Sequence, residues 1–403
     1  MDSEVLSALV IIDGRTHCLF RGERKLRECG NDDLKLHGNH SFLMGVYPEP
    51  AKGEAVFNMT FGPVAGGLFE SIKFNIRTYG ERILSVTPEW NCKARRITLS
   101  MEPHDRALLK VERINALFSA SYSSLFCHLI EKITETEAGY ETQMIRMIMI
   151  ESERIASHIL AIQRLAEAAS QNVAKHHLSA LRERLLRVIA STFGHRYIFG
   201  MNQPGGIARS VDLEKLQSEV GIIAHEFYRI WELIKVSRVF MDRIIGVDRA
   251  DRIWYVGPTL RASGHSFDAR IDGWLPYSDF GFSPVIGEVG DSYARASVRA
   301  AEILESARLI GEMVSERKLF VHGVSPINFE ASGSYVDTVE SPGGELVMGI
   351  TLNEGRILKP FIRSASWCNL PAFTEGIKGG ILTDFSFGVE SHGLIVSEMG
   401  DLL

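Results

Sequence analysis

The sequence has no run of about 18 apolar residues, so nothing in it is expected to cross a membrane as a helix. Its start, Met-Asp-Ser-Glu, lacks a basic segment ahead of an apolar one, and no secretory signal is expected. Cysteine is scarce and scattered: Cys18, Cys29, Cys92, Cys127 and Cys368, with no Cys-x-x-Cys pair. That pattern suggests neither a disulfide framework nor a thiolate metal cage, and predicts reduced, mostly buried thiols. Positive charge is not in excess, with 44 Lys+Arg against 50 Asp+Glu and a formal net charge of −6, so the footprint of a nucleic-acid binder is missing. The glycine-rich stretch 62–67 is not followed by Lys-Ser/Thr and carries no dinucleotide fingerprint, which excludes direct nicotinamide binding there. There is no internal repeat and no low-complexity linker.

What is present divides unevenly. Residues 1–100 read as a β-rich region, with short apolar or alternating runs at 9–12 and 83–86 and a loop punctuated by Gly62-Pro63 and Gly66-Gly67. Residues 101–320 read as a central helical bundle. Met144, Ile148, Ile155, Ile159 and Ile162 fall on one helical face, with Glu151, Arg154 and His158 on a neighbouring one. Further helices are expected at 174–192, from an N-cap at Asp212 to about residue 244, and at 291–318. The Gly-, Pro- and Asp-rich stretch 256–286 is long for a loop, and such loops are usually functional or packed by a partner. Residues 321–403 read as an α+β tail, with turns at 341–344 and 353–355 flanking a strand at 345–351. The expected fold is α+β and mainly α, in one compact unit.

Several segments, in order, resemble one family. They are Phe61-Gly62-Pro63 with Gly80-Glu81-Arg82-Ile83; Val111-Glu112-Arg113-Ile114 through Cys127-His128-Leu129-Ile130-Glu131; and Gln143-Met144-Ile145-Arg146 with Glu151-x-Glu153-Arg154-Ile155-x-Ser157-His158. Gly200-Met201-Asn202 with Gly205-Gly206-Ile207, Gly257-Pro258-x-Leu260-Arg261, Gly290-Asp291-Ser292-Tyr293-Ala294-Arg295 and Glu340-Ser341-Pro342-Gly343-Gly344-Glu345 complete the series. Together they resemble the large subunits of nickel–iron hydrogenases and the 49 kDa subunit of respiratory complex I, and are similar in particular to membrane-bound, energy-converting hydrogenases. The resemblance implies a partner small subunit carrying an iron–sulfur cluster, other soluble-arm subunits, and a membrane arm on whose cytoplasmic face the chain sits peripherally. It implies no cofactor bound by this chain directly, with quinone as a candidate substrate.

The resemblance also marks what is missing. Hydrogenase members hold nickel and iron with two thiolate pairs, because a redox-cycling soft metal demands soft ligands. Those positions fall here on Asn115 and Phe118 and on Gly393 and Val396, and no metal is expected. The complex I members place a His and a Tyr against the quinone head; here the positions fall on Phe69 or Ala65 and on Ala116. Tyr122 and His128 are candidate substitutes on the same segment, since Tyr can donate and His can shuttle protons near neutrality. The cavity candidates are therefore Asn115, Ala116, Phe118, Tyr122, His128, Pro342, Gly393 and Val396. Glu112, Glu151, Glu153 and His158 are proton-relay candidates, against a structural reading in which the carboxylates pair with Arg113, Arg146 or Arg154; the Glu151–Arg154 spacing suits such a pair. His176-His177 reads as a solvated helix face, His392 with Glu390 as too few ligands for a metal, and the basic run 93–96 as a solvated, partner-facing or headgroup-facing surface.

Three readings stay open at this point: a subunit of a complex I-like or hydrogenase-related membrane oxidoreductase with a modified redox cavity, a non-catalytic subunit coupling a soluble module to an ion-pumping arm, or an enzyme using the vacated cavity for another substrate.

Overall fold

The computed structural model describes residues 6–12, 15–21, 23, 27–29, 53, 55–65, 68–90, 92, 97–251, 254–316, 324–328 and 330–399. The basic run at 93–96 and Gly66-Gly67 lie outside them.

Strands β1 (Leu6–Ile12), β2 (Arg15–Phe20) and β3 (Arg27–Glu28) form one antiparallel sheet. β4 (Phe57–Phe61), β5 (Lys73–Tyr79) and β6 (Arg82–Glu89) form a second. In β5, Phe74, Ile76 and Thr78 alternate inward, as a sheet with one covered face requires. The expectation of five reduced thiols needs correction. Cys18 and Cys29 are joined in a disulfide, because β2 pairs with β3 in a register that sets Cys18 opposite Arg27, two residues before Cys29. Cys127 and Cys368 are free and buried, and Cys92 is free and exposed.

The bundle starts with α1 (His104–Val111) and α2 (Ser119–Ile133) and is centred on α3 (Tyr140–Ala168). All five apolar positions read from the 3.6-residue period are fully buried in α3, which lies between α4 (Asn172–Phe193) and α8 (Ser292–Glu316). His176 and His177 are exposed on α4. The helix expected from Asp212 to about residue 244 is two helices, α5 (Glu214–Lys235) and α6 (Arg238–Ile244). Ser237 breaks the run by capping α6, its hydroxyl accepting from the Phe240 N–H. The N-cap of α5 is Leu213 rather than Asp212, whose carboxylate instead accepts from the Glu214 N–H at 3.2 Å. A short pair, β7 (Asn202–Gln203) and β8 (Gly206–Ile207), fills the glycine-rich break after α4.

The long stretch 256–286 is packed by this chain itself. It contains α7 (Gly257–Arg261) and a 3-10 turn (Tyr277–Phe280), and it buries Arg261, Asp268, Arg270 and Tyr277. The C-terminal part is a meander of β9 (Gly333–Ser341), β10 (Gly344–Asn353) and β11 (Arg356–Arg363), followed by α9 (Ala365–Gly376) and α10 (Phe385–His392). Phe373 and Phe385 of these helices pack edge-on against Phe74, at 5.5 and 5.1 Å, and cover the second sheet. The tail ends on a 3-10 turn (Val396–Met399). Among the described residues, no helix is long and apolar enough to cross a membrane.

Two glycines fix how the site is closed. A Cβ on Gly62 (φ +92°) would collide with the Ile72 carbonyl oxygen, so only glycine lets the following loop fold back. A Cβ on Gly257 (φ +64°) would collide with both the Gly343 carbonyl oxygen and the Gly344 Cα, so α7 and the β9–β10 turn touch backbone to backbone.

Candidate functional site

The fold brings three distant segments together: the loop after Gly62, the turn after α1, and the C-terminal tail. Asn115 caps a 3-10 turn (Ala116–Phe118), its Oδ1 accepting from the Leu117 N–H at 3.0 Å. Its other end is also used, since Nδ2 donates to Glu398 Oε2 at 2.8 Å. The Tyr122 hydroxyl donates to the same oxygen at 3.2 Å. Glu398 Oε1 accepts from the Ser366 N–H (3.2 Å) and hydroxyl (2.7 Å). Burial pushes the Glu398 carboxyl up even against these donors, and burial with the nearby Glu398 charge holds the Tyr122 phenol well above its usual range. Nothing in the run Ser397-Glu398-Met399 marks Glu398 as an interior residue, and the sequence analysis missed it.

Beside this cluster lies a cleft of about 520 Å³ between the loop and the tail, lined by Pro63, Val64, Ala65, Phe69, Val396 and Ser397 among others. Glu70 closes its floor, accepting from the Ser397 N–H (2.5 Å) and hydroxyl (3.2 Å). Phe69 is 42% and Val64 90% exposed. Arg164 stands 5.9 Å from the centre of the Phe69 ring and pairs with Glu390 at 3.0 Å.

The sequence candidates do not all meet here. Asn115, Ala116, Phe118 and Tyr122 lie on the turn after α1 and the start of α2, and Val396 lies in the cleft wall on the tail turn that carries Glu398. Pro342 lies in the β9–β10 turn next to Gly343, which packs on the Phe118 ring. Gly393 (φ +63°) ends α10 under the Arg299 guanidinium. His128 is held elsewhere: it bonds Asp337 at 3.0 Å and stacks on Trp274 at 4.0 Å, where burial lowers its basicity. It belongs to the α2–β9 contact, through Asp337 of β9. His392 bonds Asp248 (2.9 Å) and Thr259 (3.1 Å), and Glu390 bonds Arg164, so they share no ligand position.

The four residues that the resemblance sets at nickel–iron positions are an amide with both ends bonded, a phenyl ring, a left-handed glycine and an isopropyl group. These do not fit such a centre, which needs thiolates.

The relay candidates have different fates. Glu112 accepts from the Gly200 N–H at 2.7 Å and reaches Arg113 at 3.4 Å; burial raises it. Burial opposes ionisation of Glu151, but Arg154 (3.0 Å) and Arg270 (3.4 Å), with the Tyr277 (2.7 Å) and Ser306 (2.5 Å) hydroxyls, hold it below its usual range. Glu153 pairs with no cation among the described residues. It accepts from the N–H groups of Ala120 (2.8 Å) and Ser121 (2.9 Å) and from the Ser121 hydroxyl, and burial pushes it up to about 8. His158 bonds Glu302 (2.7 Å) and Arg299 (3.2 Å), and burial lowers it to about 4. Arg146 pairs with Glu131 at 2.6 Å, not with any of the relay candidates.

Around Glu151 and His158 lies a buried ionic lattice that sequence reasoning did not foresee. Arg261 binds Glu302 (2.6 Å), Glu340 (2.7 Å) and Asp268 (2.9 Å), and Arg270 binds Asp268 at 2.7 Å. Burial opposes the Asp268 charge, but Arg261 and Arg270 hold its carboxyl low; Glu340 is raised by burial and by Asp268. Arg154 donates to the carbonyl oxygens of Glu340 (2.6 Å) and Ser341 (3.0 Å), tying α3 to the β9–β10 turn. A signal was present: Arg295, Arg299 and Glu302 share one face of α8, and all three are buried.

Residues 174–319 match the family described as respiratory-chain NADH dehydrogenase, 49 Kd subunit. A D-type NADH-quinone oxidoreductase subunit of Chloroherpeton thalassium is 27% identical over 389 residues, spanning 87% of this chain and 88% of that protein. The alpha subunit of the membrane-bound hydrogenase of Pyrococcus furiosus is 26% identical over 373 residues, spanning 84% of this chain and 86% of that protein. A chain in the structure of the membrane-bound sulfane sulfur reductase, an archaeal respiratory membrane complex, superposes with a TM-score of 0.80 at 18% identity, covering 88% of this chain and 100% of the other; at that identity the likeness is one of fold.

Proposed function

We infer, for a chain that carries a domain of the respiratory-chain NADH dehydrogenase 49 Kd subunit family and is homologous over most of its length to an NADH-quinone oxidoreductase subunit and to a membrane-bound hydrogenase alpha subunit, that it is a subunit of a complex I-like or membrane-bound-hydrogenase-type oxidoreductase complex. The observation that supports the reading of its site is the tail at Val396–Met399, which forms a cleft with the loop after Gly62 and bonds the Asn115 turn through Glu398.

The chain sits peripherally on the cytoplasmic face of the membrane, beside an iron–sulfur small subunit, and binds no metal itself. The cleft takes an amphipathic acceptor of quinone type. Val64, Leu68, Phe69 and Val396 supply apolar walls, and Ser71 and Ser397 are the hydroxyl groups at its edge. The chain's residues exclude water and orient the acceptor there; any reducing electrons would come from the partner's cluster.

One observation favours a second reading, a structural subunit that couples a soluble module to a membrane arm. Glu398 already takes one N–H of the Asn115 amide and the Tyr122 hydroxyl, so the phenol is not left to donate to a ligand. The test is the isolated complex. Elemental analysis should find no stoichiometric nickel, and one nickel per chain would overturn the reading of Asn115 and Phe118. A short-chain quinone should be reduced by the wild-type complex and much more slowly by Val396→Trp, which fills the cleft. No quinone reduction by wild type, or full activity in the variant, removes the catalytic arm and leaves the structural one.

A further inference from the structure

A narrow cavity with room for about one water molecule, distinct from the cleft, opens between α3 and α4 and reaches the back of the Asn115 turn; Ala116, Glu153, Ser157, Arg182 and Tyr197 are among its walls. We propose that Glu153 is a solvent-fed proton-exchange site, its carboxyl seated on the N-terminus of α2 and served by water held in this cavity.

Three observations carry this. First, the carboxyl is buried yet forms part of the cavity wall, so water in the cavity can reach it. Second, its partners are uncharged: two amides and one hydroxyl of α2 bond it and no Lys, Arg or His pairs with it among the described residues, so gaining a proton breaks no ion pair. Glu151, two residues away, is the contrast, locked by Arg154 and Arg270. Third, the opposite wall carries Arg182, whose Nε donates to the Ala156 carbonyl oxygen at 3.0 Å and whose guanidinium forms no ion pair among the described residues. Carboxyl, Ser157 hydroxyl and guanidinium give a water the polar partners it needs.

The charged and titratable groups around Glu153 are Arg154 on its own helix, Tyr122 on α2, Arg182 on α4, and Arg196 and Tyr197 just after α4. Tyr122 feels both Glu153 and Glu398, so the charge on Glu153 is sensed at the Asn115 cluster from behind. Burial outweighs the α2 amides, so the group turns over close to neutral pH, where exchange with water is useful. The step needs no further reactant: an O–H bond of a hydronium ion breaks as one forms on a Glu153 carboxylate oxygen, leaving water, and the reverse step returns the proton. The inference holds whichever acceptor the cleft takes.

The test is infrared spectroscopy of the full chain in H₂O and D₂O. Wild type should show a carboxylic C=O band that fades as pH rises through about 8 and shifts promptly in D₂O. Glu153→Gln should remove that band, and Glu153→Asp should move it. Ala156→Leu, which narrows the cavity, should leave the band and slow its shift at least tenfold. The Glu398 band, identified by Glu398→Gln, is the internal control and should exchange more slowly. The proposal is overturned if Glu153→Gln and Glu153→Asp leave every titrating band in place, or if the Glu153 band exchanges no faster than that of Glu398.

Discussion

The Asn115 side-chain amide donates to Glu398 Oε2 at 2.8 Å across a sequence separation of 283 residues. The bond joins the turn after the first bundle helix to the 3-10 turn of the tail, so the start of the bundle and the end of the C-terminal part share one buried polar knot.

Breaking that knot should cost stability in a graded way. Glu398→Leu strands the Asn115, Tyr122 and Ser366 donors without water, and a buried unsatisfied donor costs about 1–3 kcal/mol. Glu398→Gln keeps an acceptor oxygen and should cost less. Urea midpoints check the order; a Leu variant as stable as wild type would falsify the account.

Glu153 predicts a pH slope of definite sign. Its carboxyl is raised in the folded chain from the ordinary 4.5 to about 8, so between those values the folded state holds more protons than the unfolded one. Its stabilising contribution is therefore fully present below about 4.5 and lost as pH rises through about 8. Unfolding free energies measured across this window should decline with pH in wild type and decline less in Glu153→Gln. Parallel slopes for the two proteins rule the shift out.

The ionic lattice should be intolerant of single deletions and tolerant of paired ones. Arg270→Met leaves Asp268 and Glu151 short of a cation in the interior, a loss of about 3–5 kcal/mol. Adding Asp268→Leu should cost less than the sum of the two single changes. Strict additivity in the double-mutant cycle would show that the pair is not coupled.

Thiol counting addresses the N-terminal sheet. Denatured, unreduced chain should titrate three thiols, Cys92, Cys127 and Cys368, and five after reduction. Replacing Cys18 and Cys29 by Ser should destabilise the chain by about 2–3 kcal/mol, the value of closing a short loop in the unfolded state. Five thiols without reductant contradict the bond.

How much could be read in advance depends on what a pattern reports. The buried stripe of α3 and the turns at 341–344 and 353–355 were legible, since periodicity and turn residues act locally. The break at Ser237 was not, because the apolar pattern runs on through it and a single cap decides the outcome. Nor was the interior placement of Arg261, which needs beside Asp268 a partner, Glu340, that lies 79 residues away. A charge is tolerated inside only where its partner arrives, and no local window contains that partner. For the same reason His128 read as a candidate for the site until β9 supplied Asp337, and Glu398 read as an unremarkable tail residue until Asn115, Tyr122 and Ser366 closed around it.

The bare backbone contact of Gly257 with Gly343 and Gly344 has a mechanical consequence. With no side chain between them to absorb slack, the hairpin tip and α7 behave as one lever. A displacement of that buried tip would drag Arg261 at the far end of α7 and, through it, Glu302 and Asp268, so a movement of one turn would be delivered as a rearrangement of charge around it.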